Sequence, residues 1–260
     1  MDGRDIRSDA VNFRDRRDGG QRLVPRLTGY RGRKSTFVLG LPRGGIVPAA
    51  EIARDLQLPL DVLISRKIPA PDNPELAIGA VAEGGESWLN EELVAATGAT
   101  AEHVAAETAR QRAEIAYRQK RFRSGRELDL PDDATVILVD DGVATGATVI
   151  AAIHALRARR VARLVLAIPI APPDTAETLR RLVDELVVLA TPEPFYAVGA
   201  FYDDFRQVTD ENVVALLAEA KAGATANPSP SPAGIGSDGS ARSAPTAAPT
   251  TSRRDMPGAG

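Results

Sequence analysis

Cysteine is absent from all 260 residues, which excludes a disulfide framework, a thiol nucleophile and a thiolate metal site together. Histidine is almost as scarce. His103 and His154 do not share metal-ligand spacing, and His154 falls inside an apolar helical pattern where a packing role is expected. No apolar run approaches the roughly twenty residues that cross a bilayer. The N-terminal MDGRDIRSD lacks the apolar region of a signal peptide, so the expectation is a cytoplasmic protein without a membrane partner. A net charge of −3 provides no global drive toward nucleic acid. Two nucleotide motifs are missing too: no glycine-rich loop ends in Gly-Lys-Ser/Thr, and the Gly-x-Gly-x-x-Gly spacing does not occur after a strand.

Large apolar residues also run out near Gly223, after which Ala, Pro, Ser, Thr and Gly dominate. That composition predicts one domain over 1–222 and a disordered tail over 223–260. Within the domain, strand and helix patterns alternate, as in a doubly wound, mainly parallel α/β sheet flanked by helices. Strands are predicted near 36–40, 60–65, 78–83, 135–139, 163–169 and 185–190. Helices are predicted near 17–29, 45–57, 101–124, 146–160, 174–183 and 210–221. Asp174 with Glu177 suggests a capping box. The arginines of 101–124 suggest a solvated helix face, with Glu102, Glu107 and Glu114 as local partners.

What is present is concentrated in Val136–Thr148, VILVDDGVATGAT. Val136 to Val139 form a short apolar run suited to a strand buried on both faces. Asp140 and Asp141 follow at its carboxyl edge, and the small-residue loop leads into a helix. Amides of such a loop and of a helix N-terminus form a concavity for a phosphate, and Thr145 and Thr148 add hydroxyl donors. Two acceptor-only carboxylates suit a ribose diol, or water on Mg²⁺. The combination describes a ribose phosphate site.

Four apolar residues, two acids and then Thr-Gly-x-Thr resemble the phosphoribosyl pyrophosphate signature of type I phosphoribosyltransferases. The resemblance implies a hood over the acceptor, near 186–206, and a homodimer. It also implies that Asp140 and Asp141 hold the ribose and Mg²⁺, and that Gly142, Val143, Ala144, Thr145, Gly146, Ala147 and Thr148 cradle the 5′-phosphate. A second strand, loop and helix, FVLGLPRGGI from Phe37 to Ile46, resembles the family's pyrophosphate loop. There Gly44 and Gly45 allow close backbone approach and Arg43 offers a fork of donors. Arg66 and Lys67 are further pyrophosphate candidates, and the stretch after them, broken by Pro69, Pro71 and Pro74, is expected to be an exposed lid. Arg43 and Lys67 are the expected catalytic cations.

Five aromatics crowd into PEPFYAVGAFYDDF, Pro192 to Phe205, in a chain that is only 4% aromatic. Most are expected to form a small apolar core. Val198-Gly199 through Asp203 resembles a purine-type hood, which makes Phe195, Tyr196, Val198, Tyr202 and Asp203 candidates for the base. Two departures stand against a hypoxanthine-guanine assignment. Ala144 occupies the position where that subfamily carries a proton-accepting acid, and Leu189 to Pro192 supply no lysine before the hood. The pattern is nearest a broad bacterial branch whose acceptor is unassigned. Its implied reaction is Mg²⁺-dependent transfer of a phosphoribosyl group from phosphoribosyl pyrophosphate to a small nitrogenous base. The competing reading is a phosphoribosyl pyrophosphate sensor that binds nucleic acid through the basic helix.

Overall fold

The computed structural model describes residues 11–226, position 86 excepted; of the tail expected over 223–260, residues 227–260 lie outside the described residues. Chain order is α1 (Arg16–Leu27), β1 (Thr36–Gly40), α2 (Ile46–Leu56), β2 (Leu60–Val62), β3 (Ser65–Ala70), β4 (Asn73–Ala82), β5 (Ser87–Leu89), α3 (Glu91–Ala96) and α4 (Ala101–Arg123). There follow β6 (Thr135–Val139), α5 (Ala147–Ala158), β7 (Arg163–Ile170), α6 (Pro173–Arg180), β8 (Glu185–Ala190) and α7 (Asp210–Ala226). Residues 223–226, expected in the tail, instead continue α7.

Five strands form a sheet in the order β2-β1-β6-β7-β8, every neighbouring pair parallel. The alternation of side chains across each strand divides the core in two. Val38, Ile137, Val139 and Val165 face Leu23 of α1, Ile52 of α2 and Leu217 of α7. Leu39, Leu138, Leu164 and Leu166 face Val149, Ile153 and Leu156 of α5 and Leu179 of α6. β1 leads by α2 to one side of the sheet, whereas β6 leads by α5 to the other. The order of winding therefore reverses between β1 and β6, and in such sheets a crevice opens beyond the strand ends at that reversal. The loops after these two strands are the glycine loops singled out above.

The lid expected after Lys67 is a correction. Residues 65–89 form a second sheet, β3-β4-β5, antiparallel throughout. The predicted strand 60–65 accordingly breaks: 60–62 stays in the parallel sheet and Ser65 begins the other. Proline does not prevent this, because Pro69 falls at a register irregularity, Pro71 lies in the turn between β3 and β4 and Pro74 sits at the start of β4. Ile68, Ala70 and Ile78 pack beneath Leu93, Val94 and Val104, a small core of its own.

Two smaller expectations also change. α6 begins at Pro173 with Pro172 as its cap and no side-chain capping bond, so the Asp174–Glu177 box does not form. Proline at the first helical position lacks the N–H that a cap would satisfy. α4 is not uniformly solvated, since Arg123 is buried and ion-paired to buried Glu83 of the β4–β5 turn. Gln119 donates to the same carboxylate at 3.0 Å, and the Ile64 amide donates to its other oxygen at 3.0 Å. Removing one partner of such a pair would leave a buried charge uncompensated. This cluster fastens α4 to the second sheet.

Candidate functional site

The two glycine loops meet. A Cβ built on Gly44 would collide with the Asp141 carboxylate, and one on Gly45 would fall 2.7 Å from the carbonyl oxygens of Leu41 and Val139 and 2.8 Å from Asp140 Cα. Glycine is required there because neighbouring atoms occupy the space a side chain would need. The Leu41 amide bonds the Val139 carbonyl at 2.9 Å, which continues the β1–β6 ladder into the loops. The peptide between Pro42 and Arg43 is cis.

In the second loop, Gly142 lies at φ +150° and Gly146 at φ +82°, the latter as the N-cap of α5. Thr145 and Ala144 are exposed, and Ala147 and Thr148 begin the helix, where first-turn amides have no intrahelical partner. Val143 departs from the expected phosphate cradle. Its side chain is buried and its amide bonds the Ile170 carbonyl at 2.9 Å, so that donor is already engaged.

Arg43 is half-buried, with its Nη1 3.7 Å from Asp210 Oδ1 at the start of α7. Arg66 extends toward α4 and donates from Nε to Gln111 Oε1 at 3.1 Å. Burial, then the guanidiniums of Arg118 and, less strongly, Arg43, push Arg66 below the ordinary arginine range. Adjacent strand residues face opposite sides, so Lys67 stands on the other face of β3. Ser65 shares that face and donates to the Thr148 carbonyl at 3.1 Å. The expected Arg66-Lys67 pair is thus split: Arg66 belongs to the α4 side with Arg43, Lys67 to the α5 side.

The acids differ in their surroundings. Asp140 Oδ1 accepts the Asp141 amide at 2.9 Å. Desolvation, reinforced by the Asp141 carboxylate, holds the Asp140 carboxyl well above the usual carboxylate range. Asp141 Oδ2 accepts from Arg16 Nε at 2.5 Å, an ion pair in which both side chains are nearly buried. No sequence motif marks Arg16, which lies 125 positions away. Among the described residues no cluster of three or more His, Cys, Asp or Glu could cage a metal. The donor set fits Mg²⁺ only in the way that ion prefers, through one or two carboxylates with water and ligand phosphates completing the shell.

Of the hood expected near 186–206, residues 186–190 belong to β8 of the parallel sheet, and the remaining 191–206 is packed against Phe13. Phe13 forms a parallel bridge with Tyr202, the Phe13 amide bonds the Phe201 carbonyl at 2.8 Å, and the Asp203 amide returns to the Phe13 carbonyl at 2.9 Å. Phe13, Ile170 and Tyr202 form its buried core, with Phe195, Val198, Phe201 and Phe205 around them. Several base-binding expectations are corrected by this packing. Tyr202 is buried between Phe13 and Phe205, its hydroxyl donating to the Asp141 carbonyl, so it cannot stack on a ligand. Val198 closes on Gly142, Asp203 accepts from Asn12 and Phe195 leans on Phe201. Of the three rings Phe195, Tyr196 and Tyr202, Tyr196 alone is open, 85% exposed, and Asp203 is exposed as well.

Four further cations of α4 are engaged: Arg110 with Glu107, Arg118 with Glu114, Arg121 with Glu211, and Arg112 with the Gly85 carbonyl, whereas Lys120 is exposed. His103 lies 3.0 Å from the Pro69 carbonyl and His154 stacks on Trp88, both packing roles. No helix among the described residues is long and apolar enough to cross a membrane.

A family model for the phosphoribosyl transferase domain matches residues 18–199. Two provisionally named phosphoribosyl transferases from Mycobacterium tuberculosis strains CDC 1551 and H37Rv are each 45% identical to the chain over 208 residues. The match covers 80% of this chain and 47% of theirs, so the chain spans about half the length of these curated relatives. The crystal structure of TT1426 from Thermus thermophilus is similar with a TM-score of 0.69 and 45% identity, over 80% of this chain and 98% of that one.

Proposed function

Because this chain belongs to the phosphoribosyl transferase family, we propose that it transfers a 5-phosphoribosyl group from phosphoribosyl pyrophosphate to a small nitrogenous base, releasing pyrophosphate. The observation that carries the reading is the contact between the two glycine loops, which seats Gly44 and Gly45 against Asp140 and Asp141 where the sheet reverses its winding. One ligand with a phosphate at each end and a diol between them suits that arrangement. The 5′-phosphate would lie on the amides of Ala147 and Thr148 and the Thr145 hydroxyl. The pyrophosphate would lie toward Arg43, with Lys67 approaching from the opposite face of β3.

As the bond from ribose C1 to pyrophosphate lengthens, positive charge grows on the sugar and negative charge on the leaving oxygens. Arg43 and the loop donors stabilise the latter without reorganising, which is where preorganised charge is most effective. Mg²⁺, where bound beside Asp140 through water, would neutralise further charge on the pyrophosphate. Asp140 is suited to a cationic neighbour, because desolvation and the Asp141 carboxylate, which raise its carboxyl, both disfavour its charged form and a nearby positive charge favours it. Ala144 carries no titratable group, so the proposal assigns no general base at that position.

The test is incubation of the protein with phosphoribosyl pyrophosphate, Mg²⁺ and a panel of bases, with nucleotide and pyrophosphate identified by mass spectrometry and Asp140→Asn as control. A nucleotide product that depends on Asp140 supports the transferase. Tight binding of the donor with no acceptor consumed would overturn turnover and leave a sensor.

A further inference from the structure

Arg16, Phe205 and Arg206 all lie outside the span matched by the family model, yet they converge on its signature acid. Arg16 Nε donates to Asp141 Oδ2 at 2.5 Å, its Nη1 donates to the Arg206 carbonyl at 2.8 Å, and its guanidinium carbon sits 3.6 Å from the centre of the Phe205 ring. One planar cation therefore joins the start of α1, the end of the hood and the loop after β6. The opposite end of Asp141 is held from the same direction, since Tyr202 donates its hydroxyl to the Asp141 carbonyl and packs 5.0 Å from Phe205. Behind it the carboxylate rests against Gly44, leaving no room to swing toward the pyrophosphate loop.

We propose that Arg16 is a positioning residue that clasps the hood to Asp141, so that Asp140 is the acid left to meet the ribose hydroxyls. The inference rests on the phosphoribosyl transfer proposed above and divides between two adjacent acids a task the motif assigns to both. Asp141 has its charge matched and both of its oxygen-bearing groups occupied by protein. Asp140 accepts its neighbour's amide and lies beside the Asp141 carboxylate, with no ion pair to a cation among the described residues. Arginine suits the clasp because its plane stacks on an aromatic ring while its edges donate in two directions, which a lysine ammonium cannot reproduce. An acceptor closing under the hood would thereby stiffen the loop that carries the ribose site.

Two readouts test this in parallel on the full chain: calorimetry with phosphoribosyl pyrophosphate and with pyrophosphate, each with Mg²⁺, and hydrogen exchange of amides 195–206. Arg16→Ala should weaken phosphoribosyl pyrophosphate by about ten- to a hundredfold, the range expected for a lost charged contact. Pyrophosphate affinity should stay within about twofold, and the hood amides should exchange faster as the local opening free energy falls. Arg16→Lys, which retains the charge, should recover part of the affinity and none of the hood protection. Asp141→Asn should loosen the hood, whereas Asp140→Asn should lose donor affinity with hood exchange unchanged. Equal weakening of both ligands in Arg16→Ala, or unchanged hood exchange in Arg16→Ala and Asp141→Asn, would overturn the clasp. If the wild-type protein binds no phosphoribosyl pyrophosphate, the transferase reading fails by itself, and the exchange of the hood in the Arg16 and Asp141 variants still decides the clasp.

Discussion

The loops after β1 and β6 and the hood both meet at Asp141, and they are held together by different means. The loops are backbone against backbone: Gly45 has the carbonyls of Leu41 and Val139 2.7 Å from where its side chain would begin, and a bond that continues the ladder joins Leu41 to Val139. The hood is side chain against side chain, with Phe13, Tyr202, Phe205 and Arg16 interleaved from segments nearly two hundred residues apart. Backbone contact of this kind tolerates almost no substitution, whereas an aromatic cluster degrades step by step. The comparison separates a part fixed by the sheet, to which the phosphates of the donor are proposed to bind, from a part held by side chains, where the acceptor is proposed to bind.

The largest expected effect comes from the part fixed by the sheet. Gly45→Ala places a methyl group on three backbone atoms that cannot rotate away, and overpacking of this kind destabilises by about 1–3 kcal/mol. The loop must shift, so donor binding should be lost together with that stability. Chemical denaturation and calorimetry on one preparation measure both. A variant that binds phosphoribosyl pyrophosphate normally would show that the loop is more yielding than its contacts imply.

Arg43→Ala acts on the same half without disturbing its backbone. Losing a charge-assisted contact costs about 1.5–3 kcal/mol, roughly ten- to a hundredfold in affinity for pyrophosphate and phosphoribosyl pyrophosphate. Ribose 5-phosphate should be affected little, because that ligand lacks the pyrophosphate end. Equal weakening of all three in calorimetric titrations would mean that Arg43 serves the fold through Asp210 instead.

The same division explains what is legible in the sequence. Both glycine loops, the parallel sheet and most helix positions follow from local signals, because a strand, its loop and the next helix are contiguous and their periodicity is set within a dozen residues. Arg16, Phe13 and the buried Glu83–Arg123 pair carry no such signal; each matters only through a partner far along the chain. The second sheet reads as a lid because three prolines look like loop punctuation, and only the register shows that they sit at a bulge, a turn and a strand start. Arg66 and Lys67 are adjacent in sequence and invite grouping, although pleating separates them. Tyr202 has the chemistry of a stacking residue and is core, as an aromatic flanked by other aromatics commonly is.

Asp140 lies where the two halves join, and its stability effect has a definite sign. Its carboxyl is raised in the folded protein, by desolvation first and by the Asp141 carboxylate second, so the folded state holds a proton that the unfolded chain releases. Stability falls as pH climbs from the ordinary carboxylate range to the raised folded value, since the native state binds more protons across that interval. Asp140→Asn removes this dependence. Without Mg²⁺ or ligand the variant should therefore melt higher than the wild type near neutrality, and the difference should shrink below the ordinary range of a carboxylate. Thermal melts across pH check it, and a variant less stable at neutral pH would mean that ionised Asp140 makes contacts that hold the loop.

Tyr196 provides the gentlest probe and belongs entirely to the part held by side chains. With 85% of its surface exposed and no part in the hood's aromatic core, it contributes almost nothing to folding. Tyr196→Ala should change unfolding free energy by no more than about 0.5 kcal/mol, as exposed positions usually do. Affinity for phosphoribosyl pyrophosphate should be equally insensitive, because Tyr196 is not among the groups proposed to hold that ligand. An acceptor that stacks on the ring would lose about 1 kcal/mol, near fivefold in its apparent KM, which is the usual worth of an aromatic pair. A measurable rise in KM for one base, with donor affinity unchanged, would locate the acceptor against the open hood ring. An identical rise for donor and acceptor would show instead that the hood and the loops move as one body, and the separation between the two parts would not hold.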